Sequence, residues 1–395
     1  MPTAAGPNSN EQGLVFAIDL GDIKNSYIGE PTTNILNNNI LGQGNGAFLS
    51  SDSVGTYIQL ANLTSSYSRF QLPSIPVSSN DTYTWSFELM SPQTITTGYY
   101  FDTNEYSDQF PTSNDLSRAS ATHRVPSTMP AGVWQEFSLT VTMKSNLTGA
   151  YTYDFFNMLY PTFQNKKVYY RNMQFEFKNH PTQYVGQGAT RSATQGLLDL
   201  TGNSTLDISN MSFNSNAELV FDGTDDGINV GNATILSLSN GIGSVEAVVK
   251  FPSSWTAGSQ YPNLISKGAT AGWDTDGWAL FGFRDWGGPK SWGFGMRNGA
   301  TNRVTSRNNC PADVYLHIVA TIDGSTIKLY ENGVLYTTNT QTINPAANNT
   351  NVYIGRDASS QRFPGEIPVA KIYNRTLSAE EVANNYNVLK KRFNI

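Results

Sequence analysis

The chain has 395 residues, of which 14% are charged and 12% aromatic, with a formal net charge of −6 and a pI near 5.2. That length accommodates two ordinary domains with real cores, while the acidic balance and sparse charge exclude a basic nucleic-acid binder, a coiled coil and a disordered polyelectrolyte. The lone cysteine, Cys310, excludes an intrachain disulfide and a cysteine-based zinc site, and the three histidines (His123, His180, His317) stand far apart without metal-ligand spacing. Each histidine is read as an ordinary half-buried or surface residue.

Residues 1–12 read as a flexible arm rich in Pro, Gly, Asn and Ser. The start of the chain has neither a basic cluster nor an apolar run, so no signal peptide is expected. No stretch approaches the roughly 20 apolar residues of a membrane span. The expectation is a soluble protein made in a cytosol. Gly13-Leu-Val-Phe-Ala-Ile-Asp-Leu20 predicts a strand of the continuous apolar type, closed by Gly21-Asp22. A polar, Asn-rich stretch follows to about Ser51.

From there to about His180, short β segments alternate with Ser, Thr, Asn and Pro. The clearest are Thr56–Leu60, Tyr83–Met90, Trp134–Met143 and Lys167–Phe177. In the second of these, Tyr83, Trp85, Phe87 and Leu89 alternate with polar residues, which predicts a half-buried strand. A slip in the alternation at Gln135-Glu136 suggests a bulge. Residues 181–216 are loop-like.

A second β series begins after Ala217 and runs through Gly243–Phe251, Asn263–Ser266, Trp278–Phe283, Trp292–Met296, Tyr315–Asp323, Thr326–Glu331, Val352–Ile354 and Ile367–Tyr373. Asp323-Gly324 and Asn332-Gly333 are hairpin-turn dipeptides. One helix is expected, at the C-terminal end. Ser378-Ala-Glu-Glu381 spells a capping box, and Val382, Tyr386 and Leu389 form an apolar stripe ahead of Lys390, Lys391 and Arg392. The fold class is therefore all-β with antiparallel sheets and one C-terminal helix.

The C-terminal half resembles the concanavalin A-like lectin/glucanase superfamily in its laminin-G-like branch. The carrying residues are Leu219-Val-Phe-Asp-Gly-Thr-Asp-Asp-Gly-Ile-Asn-Val230, Ser244-Val-Glu-Ala-Val-Val-Lys250, Leu264-Ile-Ser-Lys267 and Gly277-Trp-Ala-Leu280. His317-Ile-Val-Ala-Thr-Ile-Asp323, Ile327-Lys-Leu-Tyr-Glu-Asn-Gly333 and Ala370-Lys-Ile-Tyr-Asn-Arg-Thr-Leu-Ser-Ala-Glu-Glu381 complete the set in family order. The strand at Gly13–Gly21 belongs with it, next to Gly196-Leu-Leu-Asp-Leu-Thr-Gly-Asn203. The resemblance implies a discontinuous concanavalin A-like jelly roll from 13–29 plus 186–395, with residues 30–185 inserted in its first loop. The insert is similar to a carbohydrate-binding-module jelly roll, through Tyr83–Met90, Trp134-Gln-Glu-Phe-Ser-Leu-Thr and Tyr169-Tyr-Arg-Asn-Met-Gln-Phe-Glu176. The combination is similar to virion structural proteins of tailed bacteriophages.

Three sets of residues invite chemistry. The glucanases of the superfamily carry Glu-x-Asp-x-Glu on one strand, and this chain has no such triplet; Glu246 is a single strand carboxylate without an acidic partner two residues away. No enzymatic activity is expected. Asp222, Asp225 and Asp226 raise the question of calcium, but a turn held by Asp and Gly is the favoured reading, and no cofactor is expected. Between Gly272 and Trp292 lie four of the seven tryptophans. Trp273 and Trp286, with Asp274 and Asp276, are candidates for stacking and hydrogen-bonding a sugar, against burial in the sandwich or at a subunit contact; Trp278 and Trp292 are expected in the core.

The resemblance implies a non-enzymatic virion subunit, appended to the head as a decoration or associated with the tail or its fibres. Its expected partners are other capsid or tail proteins, through the N-terminal arm and sandwich faces, further copies of itself, and host-surface glycans. No nucleic acid and no membrane insertion are expected, and the localisation is the virion. The alternatives are a carbohydrate-binding receptor-recognition protein of the tail and, further off, a glycan hydrolase.

Overall fold

The computed structural model describes residues 11–36, 42–43, 47–60, 67–76, 78–96, 122–124, 128–143, 150–159, 166–255, 261–268, 276–284, 290–305, 309–324, 326–340, 344–359 and 361–395. The arm expected at residues 1–12 falls almost wholly outside them. Two units are distinguished. The first is built from the chain up to Gly29, Ala193–Asn214 and Glu218–Ile395, and the second from Glu30–Ser192 with Ser215–Ala217. Residues 186–192, which the sequence reading places in the discontinuous unit, go with the second: Thr190–Arg191 pairs with Thr32–Thr33.

The first unit contains two antiparallel sheets. One has the order Ser212–Phe213, Leu219–Asp222, Pro364–Tyr373, Ile242–Lys250, Tyr315–Asp323, Thr326–Glu331 and Val334–Thr340. The opening strand, Leu14–Asp19, pairs with Pro364–Tyr373, from Leu14 opposite Tyr373 to Asp19 opposite Val369. The other sheet runs Ile228–Gly231, Val352–Ile354, Asn263–Lys267, Gly277–Arg284, Lys290–Asn298 and Ala300–Thr305.

Strand periodicity divides the first sheet's residues between two buried environments. Val245, Ala247 and Val249, with Leu316, Ile318, Ala320 and Ile322, enter the main core together with Phe16, Trp278 and Trp292. The alternate residues Val319 and Tyr373 pack with Leu377 and Val382, and Val248 packs with Val369 and Leu389. The C-terminal helix, Ala379–Phe393, thus covers the sheet's other side. Its capping box forms as the sequence predicts, with the Ser378 side chain accepting from the Glu381 N–H and the Glu381 side chain from the Ser378 N–H. The buried stripe is Val382, Asn385 and Leu389, so Tyr386 is displaced to a half-buried position by a polar residue. The hairpin at Asn332-Gly333 has positive φ at both residues, 49° and 77°, as its strand partner Val334–Thr340 requires.

The second unit contains a six-stranded antiparallel sheet in the order Ala47–Ser51, Thr56–Leu60, Lys167–Glu176, Thr82–Met90, Gln135–Thr142 and Thr122–Arg124. A three-stranded sheet joins Ala150–Leu159, Tyr67–Pro76 and Gly42–Gln43. The aromatic alternation works as expected: Phe87 stacks on Phe137 at 5.6 Å and Tyr83 on Phe175 at 5.4 Å. The strand is nevertheless buried on both faces, because Thr84 and Ser86 are covered as well. Thr84 shares a hydrogen bond with Thr140 at 2.7 Å and donates to the Lys178 carbonyl. The bulge expected at Gln135-Glu136 is absent, since the register runs unbroken from Gln135 opposite Leu89 to Thr142 opposite Thr82. A bulge lies instead between Arg171 and Gln174, where Asn172 takes φ 54°.

Candidate functional site

Of the four sugar-site candidates, Trp273, Asp274 and Trp286 lie outside the described residues, and Asp276 lies within them. Asp276 Oδ1 accepts from the Gly299 N–H at 2.9 Å and faces Arg297 Nε at 3.5 Å, while its carbonyl accepts from Asn348 Nδ2 at 2.8 Å. It therefore ties the start of strand Gly277–Arg284 to two neighbouring loops. Its side chain keeps 43% of its surface open to solvent. The two tryptophans expected in the core are there, each at 0% exposure. Trp278 Nε1 donates to the Leu236 carbonyl at 3.1 Å and Trp292 Nε1 to Glu331 Oε2 at 3.0 Å, which satisfies both buried donors.

Asp222, Asp225 and Asp226 bring one carboxylate oxygen each within 4.8 Å of one another. Asp226 is buried and accepts two backbone N–H groups, from Ser212 and Asp222, both at 2.6 Å. Asp222 accepts from the Thr224 N–H at 2.6 Å, the bond of an Asx turn. Burial, with the neighbouring Asp222, pushes the Asp226 carboxyl up. Asp222 is exposed; the slight desolvation that would raise its carboxyl is outweighed by its hydrogen bonds to Thr224, which hold it below the usual range. These bonds are those of the favoured turn, with the acids serving the backbone.

Glu246 is fully buried under the C-terminal helix. It receives His317 Nε2, Lys371 Nζ and the Tyr373 hydroxyl, each at 3.2 Å, and Asn385 Nδ2 at 2.7 Å. Burial alone would raise its pKa; the Lys371 charge, the His317 contact and the Asn385 hydrogen bond outweigh it and hold the carboxyl well below the ordinary carboxylate range. Burial and the Glu246 charge push the Tyr373 hydroxyl up in turn. His317 is thus a fully buried member of an ionic cluster, contrary to its reading as ordinary, and its Nδ1 has no hydrogen-bond partner among the described residues. The strand pattern conceals this because residues 317, 246 and 371 sit on three strands that become neighbours only in the sheet.

In the second unit His180 is also buried, with Nε2 2.5 Å from Glu30 Oε2. The side chain of His123 lies outside the described residues. At the end of the segment Tyr169–Glu176, Gln174 and Glu176 have a structural task. Gln174 Nε2 and the Thr182 N–H both donate to Glu176 Oε1 at 2.9 Å, and the Thr32 and Thr182 hydroxyls donate to Glu176 Oε2. Arg171 lies 4.1 Å above the Trp134 ring and donates to Glu88, so that ring is capped by a cation.

Residues 222–383 match a family model, Laminin_G_3, described as the concanavalin A-like lectin/glucanases superfamily. No curated protein matches the chain. Among solved structures, domain 4 of AbnA, an extracellular arabinanase from Geobacillus stearothermophilus in complex with arabinotriose, is 19% identical with a TM-score of 0.38. That match covers 49% of this chain and 93% of the other. The binding domain of Paraclostridial Mosquitocidal Protein 1 is 15% identical with a TM-score of 0.39, covering 48% of this chain and 49% of that one. The receptor binding domain of botulinum neurotoxin D is 16% identical with a TM-score of 0.39, covering 50% and 51%. The chain spans about half the length of these two toxin structures. The unit that holds the Glu246 cluster is a concanavalin A-like sandwich, and its residues 222–383 are similar to that superfamily.

Proposed function

We propose that the chain is a non-catalytic, lectin-like subunit of a tailed-phage virion, appended to the head or tail, and that it contacts host-surface glycans. The observation that carries the reading is the discontinuous organisation. The strand Leu14–Asp19 closes against Pro364–Tyr373, while Glu30–Ser192 between them forms a β unit of its own. This is the pattern of the module-inserted virion proteins that the sequence resembles. Glu246 supports the non-catalytic part, since its carboxylate is spent on four neighbours and has no exposed surface to offer a sugar. Other virion proteins and further copies of the chain are its proposed partners, and calcium is not proposed.

A tail receptor-recognition role is the second reading, and the same experiment separates the two. Cryo-EM of the purified particle should place ordered density of this fold on the virion. Symmetric density on the capsid lattice makes it a decoration subunit. Density at the tail or baseplate makes adsorption its main task, and its absence from the particle refutes the virion assignment.

A further inference from the structure

A groove of about 320 Å³ opens in the second unit, beside the bulge of strand Lys167–Glu176. Its position follows from strand lengths. Thr56–Leu60 pairs with Lys167–Glu176 only from Lys167 to Tyr169, and the turn after Ser51 then leads that neighbour away. Further along, Asn34 Nδ2 donates to the Met173 carbonyl and to the Val185 carbonyl, and the Ile35 N–H donates to the Phe175 carbonyl. Between these two attachments the edge of the strand from Tyr170 to Met173 borders the groove, whose other walls are Ser51 and Thr56 on one side and Tyr184 and Gln187 on the other.

The chemistry of the walls is that of a neutral sugar site. Tyr184 is 43% exposed and Gln187 is exposed, and neither makes a hydrogen bond, ring contact or ion pair among the described residues. A ring free to stack against a pyranose C–H face and an amide free to donate and accept are two elements of sugar recognition, and the Ser51 and Thr56 hydroxyls add adaptable partners. The wall carries no surplus charge, because Arg171 is paired with Glu88 at 2.6 Å. The volume sits at the low end of small-ligand pockets, roughly 300–1,000 Å³, which suits one or two sugar residues.

We infer that this groove is a carbohydrate-binding site of the inserted unit, taking one or two residues of a neutral glycan by stacking on Tyr184 and hydrogen bonding to Gln187. It deepens the glycan-contact part of the proposed function and is independent of the virion assignment. The test is saturation-transfer NMR on the full chain with the methyl glycosides of glucose, galactose, mannose and N-acetylglucosamine, repeated on Tyr184→Ala and Gln187→Ala, with circular dichroism to verify folding. At least one glycoside should receive transfer, and each variant should weaken its binding about five- to tenfold, the value of one lost contact. Transfer to none of the four overturns the site. Transfer that persists unchanged in Tyr184→Ala also overturns it, while leaving glycan binding elsewhere in the chain intact.

Discussion

The Glu246 cluster makes the sharpest prediction about the first unit. Glu246→Leu removes a carboxylate with no exposed surface and leaves Lys371, whose side chain is only 9% exposed, facing His317 without its counter-charge. It also strips the Asn385 and Tyr373 side chains of an acceptor, though Asn385 Nδ2 keeps the Tyr373 hydroxyl at 3.1 Å. Breaking a buried pair from one side costs about 3–5 kcal/mol, because the surviving charge stays desolvated. Lys371→Met should cost a similar amount. The double variant should cost less than the sum by about 2 kcal/mol, since it leaves neither charge stranded. Denaturant unfolding gives the free energies, and hydrogen exchange in peptides spanning Ile242–Lys250 and Tyr315–Asp323 assigns the loss to this unit, which matters in a chain with two units. The pH dependence has a definite sign. The folded pKa lies below the ordinary 4.5, so this stabilisation is complete above that value and fades only as pH falls towards the folded pKa. Single variants that each cost under about 1 kcal/mol and add without coupling would refute the ionic account.

Other outcomes follow from local geometry. At Gly355, φ is 78° and an added Cβ would come within 2.2 Å of the Phe221 ring; Gly355→Ala should therefore lower stability by more than the roughly 1 kcal/mol of the backbone effect alone, read by thermal unfolding. The Asp52 carboxyl, held down chiefly by Lys167 and also by the Val54 N–H and the Tyr169 hydroxyl, should titrate at about 2 by carboxyl-detected NMR, and a midpoint near 3.8 would contradict those bonds. Chelation with EDTA should leave the melting temperature unchanged, because the acids at Asp222 and Asp226 already serve backbone N–H groups. A fall in that temperature, reversed by added calcium, would overturn the turn reading.

What was legible in the sequence was whatever a local pattern could encode. The alternation from Tyr83 to Leu89, the apolar run at Leu14–Asp19 and the Ser378 capping box each have their cause within a few residues. The strand Val334–Thr340 escaped because it is an edge strand exposed on most of its length, including Val334, Leu335 and Tyr336, and so carries no alternation. Asn385 was hidden for a different reason. An apolar stripe is the default for a packed helix face, and only Glu246, on a strand 139 residues earlier, makes an amide the better choice there. The groove was also hidden: Tyr170–Met173 lies within the segment Tyr169–Glu176, but Ser51, Thr56, Tyr184 and Gln187, which complete the walls, come from separate loops and strand ends and belong to no motif. Of the four sugar-site candidates, Asp276 lies among the described residues, and its bonds show a residue read as a candidate sugar contact serving as a loop fastener.

The pairing of Leu14–Asp19 with Pro364–Tyr373 sets an order of events on the ribosome. The inserted unit has nearly all of its sequence once Ser192 has emerged, whereas the opening strand's partner is among the later segments made. At about 5–20 residues per second, that strand waits roughly 20–70 s, with Val15, Phe16, Ala17 and Ile18 lacking the neighbours that bury them. During this interval a folded insert tethered just downstream restricts the volume the strand can explore. Folding therefore proceeds from the inside of the sequence outward, and premature termination after Ala217 but before Pro364 releases a complete insert on an incomplete, aggregation-prone carrier.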